Sequence, residues 1–111
     1  MHFIAGAVAC LLAVAPAPPE LLTTTPVGKK GAVEICLSGT KARGATLLFR
    51  VEVWRGKSLL GATEVPDQDG RALYAQCRTI PRAAVGDLVK VFSTRSRPRT
   101  VTVTLRPGTD A

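Results

Sequence analysis

Between residues 45 and 55 the chain reads ATLLFRVEVWR, where Leu47, Phe49, Val51 and Val53 alternate with Leu48, Arg50, Glu52 and Trp54. Strict alternation puts one set on each face of an extended strand, whereas a helix would scatter both sets around its axis. A strand with one apolar face needs neighbours for its backbone groups and a second layer to cover that face. The rest of the chain supplies them. Residues 32–37 (AVEICL) set Val33, Ile35 and Leu37 against Glu34 and Cys36. Residues 59–65, 72–80, 87–94 and 100–105 are further short β-prone runs. Gly61 marks a bulge in the first of these, and Val101, Val103 and Leu105 alternate with threonines in the last. Arg55-Gly56-Lys57-Ser58 and residues 66–70 (PDQDG) read as turns. Residues 81–86 (PRAAVG) break the alternation and read as a short helical turn. The pattern predicts an all-β domain of about six strands, a small antiparallel β-sandwich. A small β-barrel is the alternative, because Val85-Gly86-Asp87 leading into residues 88–92 also suits a barrel strand.

Residues 3–15 (FIAGAVACLLAVA) are apolar without a break, and Pro16, Pro18 and Pro19 follow. As a helix the run would span roughly 20 Å, short of the ~30 Å hydrocarbon core of a bilayer. Length, composition and the Ala13-Val14-Ala15 ending read as a secretory signal or N-terminal anchor over residues 1–15. A rival use of Cys10, as a lipidated cysteine after Ala7-Val8-Ala9, conflicts with the apolar run that continues beyond it. Residues 16–31, rich in Pro, Thr and Gly, read as a linker, residues 32–106 as the β domain and residues 107–111 as a tail. The segment assignment has a redox consequence. Of three cysteines, Cys10 leaves with the leader, and Cys36 and Cys77 remain as an even pair in an oxidising compartment. Joining them should stabilise so short a domain by about 4 kcal/mol in the chain-entropy model.

Cys36, Trp54, then Tyr74 ahead of Cys77 resembles the cysteine, tryptophan, tyrosine, cysteine order of small secreted immunoglobulin-like domains. The resemblance implies a two-sheet sandwich and no particular activity. Two details depart from the family. Tyr74 stands three residues before Cys77, where the family has two, and Cys36 shares its face with Glu34 rather than with Ile35. The second detail predicts a bridge near a sheet edge or between neighbouring strands, not one through the core.

The chain of 111 residues carries 15 Lys plus Arg against 8 Asp plus Glu, a formal charge of +7, all of it after residue 19. Arginine in excess of lysine, with abundant Ala, Gly, Val, Thr and Pro, is the composition of a GC-rich bacterial coding sequence. The only histidine is His2, and oxidation would take Cys36 and Cys77 out of nucleophilic chemistry, so no enzyme and no cofactor is expected. Asp67 and Asp69 have part of a calcium-loop spacing. Val65 and Gln76 stand where further ligands belong, so the pair reads as turn residues and no metal is assigned.

The basic residues are the candidate binding groups. Arg95, Arg97 and Arg99 alternate in one connection, Lys29 and Lys30 precede the first strand, and Lys41 and Arg43 follow it. Gathered at one end, they would form a cationic patch for phosphate or carboxylate groups. Solvated loop charge is the plainer alternative. Trp54 is the candidate apolar anchor, on a face either open to a partner or packed under a neighbour. The expected partners are an anionic cell-envelope polymer or a surface protein, on the extracellular side. Export and an aromatic content of 5% argue against nucleic acid, and membrane contact would run only through a retained leader. The second functional expectation is a secreted enzyme inhibitor that presents one rigid loop.

Overall fold

The computed structural model describes residues 18–108; the leader, Cys10 and the last three residues of the tail lie outside them. Seven strands follow in order: β1 (Glu20–Pro26), β2 (Ala32–Thr40), β3 (Leu47–Arg55), β4 (Ser58–Asp67), β5 (Leu73–Ala83), β6 (Leu88–Ser93) and β7 (Thr102–Arg106). They form a four-stranded sheet, β1-β6-β3-β4, and a three-stranded sheet, β5-β2-β7, with every paired neighbour antiparallel. The described residues contain no helix. The two sheets stack as a sandwich and are not closed into a barrel, which disposes of the alternative expectation.

The alternation of β3 carries through. Leu47, Phe49, Val51 and Val53 are almost wholly buried, and the intervening residues face outward. Val65, Val89 and Val91 extend this face across the four-stranded sheet. Ile35, Leu37, Tyr74 and Ile80 oppose them from the other sheet. The Phe49 and Tyr74 rings meet between the layers with centroids 5.5 Å apart.

Two expectations need correction. The linker assigned to residues 16–31 contains a strand, since β1 pairs with β6 from Glu20↔Ser93 to Pro26↔Leu88. Its physical basis is Thr23, Thr24 and Thr25, three β-branched residues in succession, with Leu22 packed against the core. Residues 81–83, read as part of a helical turn, continue β5 instead. Pro81 is tolerated there because β5 is an edge strand, as Pro66 is on edge strand β4. The bulge falls beside Gly61. Val53 faces Gly61 while Trp54 faces Leu59, leaving Leu60 as the extra residue. Gly61 itself lies where β4 meets the opposite sheet, and a Cβ there would stand 2.6 Å from Pro81 Cγ.

Compared with the immunoglobulin order, the inner pairs β2–β5 and β3–β6 are kept and the outer strands are exchanged. β1 lies beside β6 rather than β2, and β7 beside β2 rather than β6. The disulfide Cys36–Cys77 joins directly facing residues of β2 and β5, with Cα atoms 4.1 Å apart. It is therefore a bridge between neighbouring strands on the outer face of one sheet, as the Glu34–Cys36 face predicts. Ile35 and Leu37 on either side of Cys36 point into the core.

Candidate functional site

Chain direction sorts the loops into two groups. Loops 41–46, 68–72 and 94–101 lie at one end of the sandwich, and loop 27–31, the 55–58 hairpin and turn 84–87 at the other. The expected patch is thus divided. Arg43, Arg95, Arg97 and Arg99 share the first end, while Lys29 and Lys30 sit at the opposite one.

Lys41 leaves the set altogether. It is 1% exposed, and its Nζ donates to Asp67 Oδ2 at 2.5 Å, to Ala45 O at 2.9 Å and to the Asp69 carbonyl. The ammonium fills an oxygen cage and cannot reach an external anion. This also explains the Asp67/Asp69 spacing. Asp67 is 2% exposed and spent on Lys41 and on Gln76 Nε2 at 2.9 Å, while Asp69 Oδ1 accepts from the Arg71 amide as a turn residue. Burial raises the Asp67 pKa, and the donated bonds from Lys41 and Gln76 outweigh it, leaving the carboxyl below its ordinary value. Burial, with the Asp67 charge nearby, pushes the Tyr74 phenol up to about 12.

The 94–101 connection is bent rather than extended, so the Arg95, Arg97 and Arg99 alternation is not that of a strand. It is firmly attached. The Arg99 and Thr100 amides donate to Thr40 O, the Thr94 amide donates to Leu48 O, and the Tyr74 hydroxyl donates to Thr100 O at 2.6 Å. Gly39 permits this approach, since a Cβ there would lie 2.1 Å from Thr100 O. All three arginines are exposed, and Arg97 pairs with Glu20 at 2.7 Å. Beside this connection is a cleft of about 770 Å³, lined in part by Thr40, Arg43, Asp69, Arg71 and Tyr74. Arg71 was not among the expected residues; its place depends on loops 41–46 and 68–72 meeting through the Lys41 amide to Ala72 O and the Gly44 amide to Gly70 O.

At the other end Arg55 forms a two-pronged pair with Asp87, Nε to Oδ1 and Nη2 to Oδ2, each at 3.0 Å. The Arg55 bonds and the Ala84 amide hold the Asp87 carboxyl below its ordinary pKa. A cleft of about 400 Å³ gathers Lys29, Lys30, Arg55 and Arg82 beside Val85, and no carboxylate lines it. Arg55 and Arg82 carried no sequence signal of this role, because only the strand register brings them to Lys29 and Lys30.

Trp54 is half-buried on the outer face of β3. Its Nε1 donates to Glu52 at 2.9 Å, and the Lys90 ammonium stands 4.8 Å from the ring centroid. These contacts are with side chains of the same outer sheet face, Glu52 of β3 and Lys90 of β6. The group Glu34, Cys36 and Cys77 brings potential ligand atoms together, but both sulfurs are committed to the disulfide. Comparison with protein-family models, curated proteins and solved structures gives no match.

Proposed function

We propose that the protein is an exported, non-catalytic binding module that engages an anionic cell-envelope polymer or an acidic surface protein through its arginine-bearing end. The observation that carries this reading is the attached 94–101 connection, which presents Arg95, Arg97 and Arg99 on a backbone held by Thr40, Leu48 and Tyr74, at the same end as Arg43 and Arg71. A guanidinium whose backbone is already ordered loses less freedom on pairing with phosphate or carboxylate. The Cys36–Cys77 bridge supports an oxidising, extracellular location.

The test is binding of polyphosphate at low and high salt. Arg95→Gln with Arg97→Gln and Arg99→Gln is expected to weaken it about tenfold, the equivalent of about 1.4 kcal/mol. Binding should also fade as ionic strength rises; affinity that ignores both changes rejects the reading. The fixed connection also favours a second reading, a secreted inhibitor that offers this loop to an enzyme. That reading predicts a stoichiometric protease complex indifferent to moderate salt.

A further inference from the structure

We infer that the opposite end of the sandwich is a docking surface for an anionic phospholipid bilayer. Three chain segments build it and are fixed to one another. The Val27 amide donates to Asp87 O and the Gly86 amide to Val27 O, tying loop 27–31 to turn 84–87, and Arg55 ties the hairpin to the same turn through Asp87. Two kinds of group meet on this frame.

The first is unbalanced positive charge. Lys29, Lys30 and Arg82 are exposed and converge with Arg55 on a cleft with no carboxylate in its lining, and Lys57 lies at the hairpin tip. Of the nearby acids, Asp87 is buried and held by Arg55, and Glu34 faces Arg106 at 3.5 Å. The second is exposed apolar surface. Val85 is 63% exposed, Leu59 44%, Leu60 37% and Leu88 36%. Strand register puts Leu88, Trp54 and Leu59 in one row across β6, β3 and β4, with Leu60 displaced onto the bulge and Val85 on the turn leading to Leu88.

A soluble polyanion would use the charge and leave the leucines in water. A neutral apolar partner would leave the lysines without counter-charges. An anionic bilayer answers both, since its phosphates meet Lys29, Lys30 and Arg82 while the side chains of the hairpin and turn enter the headgroup boundary. Contact would be peripheral, through side chains on a rigid tip. It is independent of the arginine-bearing end.

The test is cosedimentation of the full chain with vesicles of phosphatidylglycerol and phosphatidylcholine, against phosphatidylcholine alone. Preference for the anionic vesicles is expected. The triple change Lys29→Gln, Lys30→Gln and Arg82→Gln should lower the partition coefficient on the order of a hundredfold, about fivefold per charge. The one tryptophan is next to Leu59 and Leu88 in the row, so its emission should move to the blue on anionic vesicles. Leu59→Ser with Leu60→Ser should remove that movement while the far-ultraviolet spectrum stays β. Arg95→Gln with Arg99→Gln should leave partition unchanged, which separates this surface from the polymer-binding end. Equal partition to neutral vesicles, a triple variant that binds like the parent, or an equal loss from the Arg95/Arg99 variant would overturn the inference.

Discussion

At the end built from loops 41–46, 68–72 and 94–101, two exposed arginines keep carboxylates beside them, Arg97 with Glu20 and Arg71 with Asp69 at 3.7 Å, while Arg43, Arg95 and Arg99 have no ion pair among the described residues. At the end built from loop 27–31, the hairpin and turn 84–87, Lys29, Lys30, Lys57 and Arg82 have no ion pair among the described residues. Apolar surface differs as well. Leu21 and Leu73, exposed toward the arginine-bearing end, lie on different sheets, whereas Leu59, Leu60, Val85 and Leu88 lie together at the lysine-bearing one. Forked donors on an ordered backbone select ligand geometry. Point charges beside apolar side chains respond to a charged surface as a whole. A single net charge of +7 therefore hides two different kinds of surface.

The internal supports of the two ends differ too, and this gives the sharpest way to separate them. Lys41→Met leaves Asp67 buried without its cation and should cost about 3–5 kcal/mol in denaturant unfolding. Arg55→Met, which breaks a pair whose cation is half in water, should cost clearly less. If the two losses are equal, the contrast between a buried and a peripheral ion pair fails. Replacing both cysteines by alanine should cost about 4 kcal/mol in the chain-entropy model. The bridge lies midway along the sheet, so neither end should lose its own ligand selectively at temperatures where the variant stays folded.

The smallest expected effect is alkaline and belongs to the arginine-bearing end. The Tyr74 pKa is raised from 10.0 to about 12 in the folded protein. Its contribution to stability is therefore complete below pH 10 and declines as pH climbs from there toward 12. Phenolate absorbance followed beside unfolding should show this, and Tyr74→Phe should flatten the slope. In acid both ends weaken, because the Asp67 and Asp87 pKa values are depressed. Their contribution is present above the ordinary carboxylate range and is lost as pH falls through the lowered folded values.

Period-two alternation made β2 through β7 readable, because a half-buried strand must write its two faces into the sequence. That the Cys36–Cys77 bridge lies off the core was readable for the same reason, since parity along the strand puts the sulfur on the Glu34 face, while the direct facing of the two cysteines follows only from the β2–β5 register. β1 was hidden by Pro26 and a polar threonine run, whose pairing with β6 depends on a partner more than sixty residues away. Lys41 reads from sequence as a solvated loop cation, because nothing near it announces Asp67 and a loop lysine is normally exposed. Arg55, Arg71 and Arg82 are not legible as members of either group, since only the strand register assembles each end of the sandwich.

The exchange of outer strands has a mechanical consequence. β1 enters at the arginine-bearing end and β7 leaves at the lysine-bearing end, each hydrogen-bonded along its length to a central strand of a different layer. Tension applied between Glu20 and Arg106 would pull both strands lengthwise, loading all the rungs of each ladder at once instead of opening them one after another. As a tether, such a domain would resist stretching along its long direction far better than peeling from the side.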